Sequence, residues 1–141
     1  MIRITLLSVG RTPTGWIHEG IESFLGRLKG NLDIQSIWLK DDQQLCTAID
    51  KAGFCVLLDE TGRHYASVEF SQQLFRWIEQ HGSRLTLVVG GADGLPAAVK
   101  GKFPMISLSK MTLPHQMARL VLVEQLFRAW SIRANTPYHR N

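Results

Sequence analysis

The sequence predicts an α/β fold in which a mostly parallel sheet is covered by helices on both faces. Three observations carry that expectation. Short, almost wholly apolar runs alternate with stretches of helical period, the joins between them are brief, and no repeat, linker or low-complexity segment interrupts the pattern. At 141 residues the chain is expected to form one domain over 1–141 and to bury roughly 70% of the surface of its unfolded form.

The elements follow in order. Ile2, Ile4, Leu6, Leu7 and Val9 make a buried strand stopped by Gly10. Thr12-Pro13-Thr14 offers helix-start chemistry, and Ile17, Ile21, Phe24, Leu25 and Leu28 fall at helical spacing before Gly30. Leu32, Ile34, Ile37 and Leu39 suggest a second strand. Asp41 or Asp42 can then cap a short helix with Leu45, Ala48 and Ile49 on its apolar side and Gly53 as its stop. Phe54 to Leu58 is the third strand, and Asp59-Glu60-Thr61-Gly62-Arg63 reads as its exit loop. Ser67 is expected to cap a helix carrying Phe70, Leu74, Trp77 and Ile78 and ending at Gly82. A fourth strand through Leu85 and Val89, a fifth from Met105 to Leu108 and a last helix from Pro114 to Arg133 complete five strand-and-helix alternations.

On that last helix Leu120, Leu122, Val123, Leu126, Phe127, Ala129 and Trp130 cover about half the circumference, with Val121 and Ile132 as a second ridge. Glu124 and Arg128 stand four apart and can pair. The apolar area exceeds what one sheet face covers, which predicts a symmetric homodimer through this helix; burial within one subunit is the competing expectation.

Composition narrows the class. With 45% hydrophobic and 20% charged residues the chain reads as globular, and no apolar run approaches the ~20 residues of a membrane span. The N-terminus is already a strand and shows no signal peptide. Cys46 and Cys55 have no Cys-x-x-Cys spacing and are expected to be buried free thiols of a cytoplasmic protein. His18, His64, His81, His115 and His139 are scattered, so no metal is expected. The net charge of +4 is uneven: from residue 100 onward Lys100, Lys102, Lys110, Arg119, Arg128, Arg133 and Arg140 face Glu124 alone. A basic face suits a polyanion such as nucleic acid, and an ordinary solvated helix face explains it equally well.

Two loops leave the ends of buried strands, where open α/β sheets place ligands. Gly90-Gly91-Ala92-Asp93-Gly94 lacks the spacing of the dinucleotide fingerprint, yet its glycines let backbone approach a ligand or turn sharply. In Ser109 to Leu113, backbone groups could bond a flat heterocycle while Met111 and Leu113 sandwich it. For each loop a plain connection is the alternative.

Four ordered motifs carry a resemblance: Val89-Gly90-Gly91-Ala92-Asp93-Gly94-Leu95, then Leu108-Ser109-Lys110-Met111-Thr112-Leu113-Pro114-His115-Gln116, then Val123-Glu124-Gln125-Leu126-Phe127-Arg128-Ala129-Trp130, and Pro137-Tyr138-His139-Arg140. With Ser8-Val9-Gly10 and Leu58-Asp59, the chain resembles the bacterial ribosomal large-subunit RNA methyltransferase H family of the SPOUT class along its whole length. The resemblance implies a C-terminal deep trefoil knot, S-adenosyl-L-methionine as cofactor, and methylation of N3 of a pseudouridine in 23S rRNA on the ribosome. Carried over by position, it places the cofactor on Leu58, Gly90, Leu108, Ser109, Lys110, Met111, Thr112 and Leu113. It also implies a homodimer in which each tail completes the partner's site. The chain departs from the family between Lys40 and Gly53, where members carry a longer, more basic segment.

Attack by a ring nitrogen requires loss of its proton, hence a base or stabilisation of the anion. Within the implied tail, His139 is the residue whose ordinary pKa lies near neutrality; it can serve as general base or as a substrate-positioning group. Arg140 can hold phosphate or the developing anion, and Tyr138 can stack on or bond the base. His115 is expected to be structural or cofactor-adjacent. Two other classes compete: a ribosome-binding assembly or placeholder protein with little turnover, and an unknotted nucleotide-binding module.

Overall fold

A computed structural model describes residues 1–140. Among them lie β1 (Arg3–Val9), α1 (Gly15–Leu28), β2 (Asp33–Leu39), α2 (Asp42–Ala52), β3 (Val56–His64), α3 (Ser67–Gln80), β4 (Arg84–Val89), β5 (Met105–Ser107) and α4 (His115–Arg133). The five strands form one sheet in the order β2-β1-β4-β3-β5, and every strand pairing is parallel.

Side chains alternate between the two faces, as the pleat requires. Ile4 and Leu6 of β1, Val56 and Leu58 of β3, and Leu85, Leu87 and Val89 of β4 enter one core. Leu7, Leu57 and Val88 enter the other. The larger core lies under α1, α3 and α4, and contains Leu28, Leu74 and Leu126, all fully buried. Burying each such leucine contributes about 1.5–3 kcal/mol. The smaller core lies under α2 and the segment after β4, through Leu45, Ile49, Leu95 and Val99. Helices therefore cover both faces, unevenly. None of the described helices is long and apolar enough to cross a membrane.

The expected start of α2 holds: the Asp41 carboxylate accepts from the Gln44 N–H at 2.9 Å. Other local expectations need correction. Ser67 is not a cap; the Glu69 carboxylate accepts from the Ala66 N–H, and the Ser67 hydroxyl donates to Gln125 on α4. Pro114 occupies the cap position before α4 instead of its first turn. Cys55 is buried, and burial pushes its thiol up to about 11; Cys46 is half-buried.

Two corrections shape the molecule. The fifth strand ends at Ser107, and no helix stands between β4 and β5, so the alternation fails once. Residues 90–104 instead cross β3 on turns (Gly94 N–H to Gly91 O, 3.0 Å; Val99 N–H to Pro96 O, 3.2 Å), pinned by Leu95 and Val99. Nor is Asp59 to Arg63 a simple exit loop. It is a bulge inside β3: Leu58 and Arg63 both pair with Ile106, and the residues between them stand out of the ladder.

Gly62 is what lets the bulge close, because a Cβ there would lie 2.7 Å from the backbone of Ile106 and Met105. Gly62→Ala is expected to cost about 1–3 kcal/mol in urea denaturation. Gly26→Ala, on the exposed side of α1 with nothing within 4 Å of its Cβ, should stabilise by about 0.5–1 kcal/mol.

Candidate functional site

The bulge of β3 and the carboxyl ends of β4 and β5 open into one cleft of about 750 Å³, within the range of about 300–1,000 Å³ typical of small-molecule sites. Three backbone segments form its walls: Leu58 to Glu60 at the β3 bulge, Val89 to Leu95 after β4, and Ser107 to Leu113 after β5. Pro114, His115 and Ala118 at the start of α4 close one side.

Each wall has a local cause. In the glycine segment, the Gly94 N–H donates to Gly91 O and Gly94 takes a left-handed φ of 83°, which only glycine adopts without strain. The turn folds back so closely that a Cβ on Gly90 would lie 2.6 Å from the Gly94 carbonyl carbon. In the third wall Ser107 Oγ donates to Ser109 O (2.8 Å), and Ser109 Oγ accepts from the Met111 N–H (2.9 Å). That double tie curls the loop and leaves the Met111 side chain at the rim, 79% exposed.

Polar links hold the walls together. Thr112 Oγ1 donates to Glu60 Oε2 at 2.9 Å, joining the third wall to the bulge. The Lys100 ammonium lies 3.3 Å from Asp59 Oδ1, joining the bulge to the crossover segment. Burial alone would raise the Asp59 carboxyl; the hydroxyl and N–H of Thr61 and the Lys100 ammonium outweigh it and hold the group below its ordinary 3.8. Burial, then the Arg119 cation, presses His115 below its ordinary 6.5, so a neutral imidazole faces the cleft near pH 7.

Of the expected cofactor residues, Leu58, Gly90, Leu108, Ser109, Met111, Thr112 and Leu113 all line this one cleft. Lys110 is exposed and lies outside its lining. Sequence reasoning missed Asp59, Glu60 and Lys100, because Asp59 to Arg63 reads as a loop until the bulge is seen.

It also missed Arg119. This guanidinium is 4% exposed, donates to Val9 O (2.6 Å) and Gln116 Oε1 (2.7 Å), and lies over the Trp38 ring at 4.3 Å. Burial lowers it to about 10, so it stays charged at neutral pH. It clamps the end of β1 to the start of α4, beside His115. Its signal was present: Arg119 heads the buried stripe of Leu122, Val123, Leu126 and Phe127. The expected basic face shrinks accordingly, since Arg119 is buried, Lys100 pairs with Asp59, and Arg133 pairs with Glu79.

The tail lies elsewhere. Asn135 takes a left-handed φ of 58° and the Thr136 N–H donates to Ser131 O, so the chain doubles back along α4. Tyr138 meets Phe127 edge-on at 4.7 Å, with the Arg27 and Arg128 guanidiniums over its ring. Its hydroxyl donates to Glu124 Oε2 (2.8 Å), which also accepts from Arg128 (2.7 Å) in the expected i, i+4 pair. Burial, then the Glu124 bond, raises the Tyr138 phenol, which stays protonated. His139 is half-buried against Arg128, and Arg140 is exposed. None of Tyr138, His139 and Arg140 lines the cleft of its own chain.

The comparisons with known proteins agree with this geometry. A family model described as "Predicted SPOUT methyltransferase" matches residues 2–139. The chain belongs to the SPOUT methyltransferases. Among its members, the Protochlamydia amoebophila protein named ribosomal RNA large subunit methyltransferase H is 42% identical over 140 residues, covering 99% of this chain and 100% of its own. The Burkholderia multivorans protein of the same name is 35% identical over 156 residues, covering 99% of each. These relatives place the chain in the large subunit methyltransferase H family, as the motifs implied. The solved structure of a probable methylase family protein from Haemophilus influenzae covers 99% of this SPOUT chain and 70% of its own, with a TM-score of 0.55 and 14% identity. That likeness concerns the fold.

A pH dependence follows from the two titrating groups at the cleft. Each binds its proton more weakly in the folded chain, so its contribution is complete above the ordinary value and is lost as pH falls through the folded one. Denaturation midpoints should decline below pH 6.5 through His115 and again below 3.8 through Asp59. His115→Leu should remove the first decline and Asp59→Asn the second.

Proposed function

We propose that the protein is an S-adenosyl-L-methionine-dependent methyltransferase that modifies N3 of a pseudouridine in 23S rRNA, on the ribosome and in the cytoplasm. The observation that carries this reading is the convergence of the β3 bulge and the exits of β4 and β5 on one cleft. Its fit to the methyl donor is chemical. Leu58, Leu108, Met111 and Leu113 offer apolar contact for a heterocycle, and the curled backbone of two loops brings amide groups to the same space. Bound there, S-adenosyl-L-methionine supplies an electrophilic methyl group on a sulfonium.

The protein's own part is alignment, worth far more than any single contact in a transfer between two positioned groups. The walls hold the donor, and the neutral His115 adds no positive charge beside a cationic ligand. Two further features complete the proposal. The segment after β4 threads a preceding loop as a deep trefoil knot, which its irregular crossing of β3 to reach β5 supports. The active unit is a homodimer in which Tyr138, His139 and Arg140 of one subunit close over the cleft of the other. Their docking on α4, away from their own cleft, and the half-exposed Val121 and Ile132 ridge support that arrangement.

Mass spectrometry of 23S nucleosides from cells with and without the protein should show a methylated pseudouridine that depends on it. In a purified assay, His139→Ala should lower turnover about 100-fold or more at saturating ribosomes, the range for removing a general base or a charge-stabilising donor. Full turnover would remove His139 from the site. Gly90→Val forces the turn apart, so calorimetry should show at least tenfold weaker S-adenosyl-L-methionine binding with the circular dichroism spectrum intact. Unchanged affinity would displace the ligand from this cleft.

A further inference from the structure

We infer that the sheet face beneath α2, at the end opposite the cleft, is a second contact for the RNA substrate and takes its phosphate backbone on Lys51 and Arg84. The occupant follows from the proposed rRNA methylation, on which this inference rests; its place follows from the charge and shape of the face.

With 11 residues, α2 is about 16 Å long and covers only part of the sheet face it packs on. Leu7 and Val88 lie in the core with it. The rows nearer the amino ends, Thr5 beside Thr86 and Arg3 beside Arg84, line a second hollow of about 530 Å³. Lys51 and Ala52 at the end of α2 wall it, together with Phe54 and His81. Half-buried threonines at these rows offer hydroxyl donors to a polar ligand.

The amino-end row works against its own electrostatics. Asp33, Arg3 and Arg84 stand abreast on β2, β1 and β4. Arg3 Nε donates to Asp33 Oδ2 at 3.1 Å, which leaves Arg84 next to a like charge, an arrangement that opposes strand pairing. Among the described residues neither Arg84 nor Lys51 forms an ion pair, and no carboxylate lines the hollow. Backbone nevertheless fixes the two arginines abreast. Gly82 and Ser83 take left-handed φ values of 71° and 64° between α3 and β4, and the Arg3 N–H donates to Ser83 O at 3.0 Å. His81, beside that turn, is held as well: its ring stacks on Phe54 at 3.8 Å and its Nδ1 donates to Trp77 O at 2.8 Å.

Charge decides the occupant. A second copy of this chain docked symmetrically here would set these cations against themselves. An RNA backbone instead places phosphate oxygens between neighbouring cations and releases counterions as it does so. The seven residues of β1 span about 23 Å, so one stretch of ribosomal RNA can meet both ends of the sheet.

The test compares the full-length wild type with Lys51→Gln/Arg84→Gln, two exposed positions outside the cleft and the tail. The probes are a labelled single-stranded RNA of mixed sequence, purified ribosomes and AMP. The double variant should bind the RNA about tenfold more weakly at about 50 mM salt, and the slope of log affinity against log salt should shrink by about 1.4, as two lost phosphate contacts require. In methyl transfer to ribosomes its KM should rise about tenfold with kcat within about twofold, the pattern of lost uniform binding. Lys51→Arg/Arg84→Lys, which keeps both charges, should behave as the wild type.

Unchanged RNA affinity, or an unchanged KM for ribosomes, overturns the inference. So does an equal loss in Lys29→Gln/Arg76→Gln, which removes two exposed cations from helices of the other face and reports net charge alone. AMP binding that vanishes in the double variant while RNA affinity holds would assign the hollow to a free nucleotide and overturn it too. If the wild type transfers no methyl group, the proposed function fails, and the RNA affinities still decide the contact.

Discussion

The pairing of β5 with β3, not with β4 from which the chain has just come, is the constraint on which the rest of the molecule depends. It obliges residues 90–104 to pass over β3 and brings the β3 bulge and the ends of β4 and β5 side by side. It is possible because the β3 ladder is interrupted by a bulge, and because Gly62 lets the bulge press directly on the backbone of β5. A cleft with three backbone walls follows from that one register. Parallel strands make the result directional, since the walls after β4 and β5 leave from carboxyl ends and the third is the β3 bulge beside them.

A cleft built of loops needs fastening, and the fastenings are polar. Thr112 to Glu60 and Lys100 to Asp59 join the walls to one another, while Arg119 ties the end of β1 to the start of α4. Such contacts contribute modestly to net stability, about 0.5–1.5 kcal/mol for an ordinary hydrogen bond. Their geometric effect is larger. Each holds a segment at or beside the cleft in place. Burying Arg119 without a carboxylate has a desolvation cost, offset by the Val9 carbonyl, the Gln116 amide and the face of Trp38.

The tail follows the opposite logic. Its anchor is a compact group of side chains on a rigid helix, with Glu124 shared between Arg128 and Tyr138 and an aromatic wall at Phe127. The anchoring residues precede His139 and Arg140 directly, so the last described residues are held at their base.

Much of this was legible in the residues. Apolar runs located the inner strands, because a strand covered on both faces must be apolar along its length, while the largely exposed edge strand β2 was marked only by spaced apolar residues. Helical spacing located the four helices, and Asp41-Asp42 announced the start of α2 through short acceptor side chains, of which Asp41 makes the cap. The glycine turn was legible as a place of close backbone approach, since Gly90 and Gly94 have no substitute there. Strand order was not legible, because ladder bonds are made by backbone that is the same in every residue. The bulge at Asp59, the burial of Arg119 beneath Trp38 and the shared use of Glu124 were hidden for a related reason. Each joins positions distant in the chain, and a charge reads as solvent-facing until its partners are brought to it. Local chemistry and period were written along the chain; the meeting of distant backbone and charge arose only when the sheet closed in its own order.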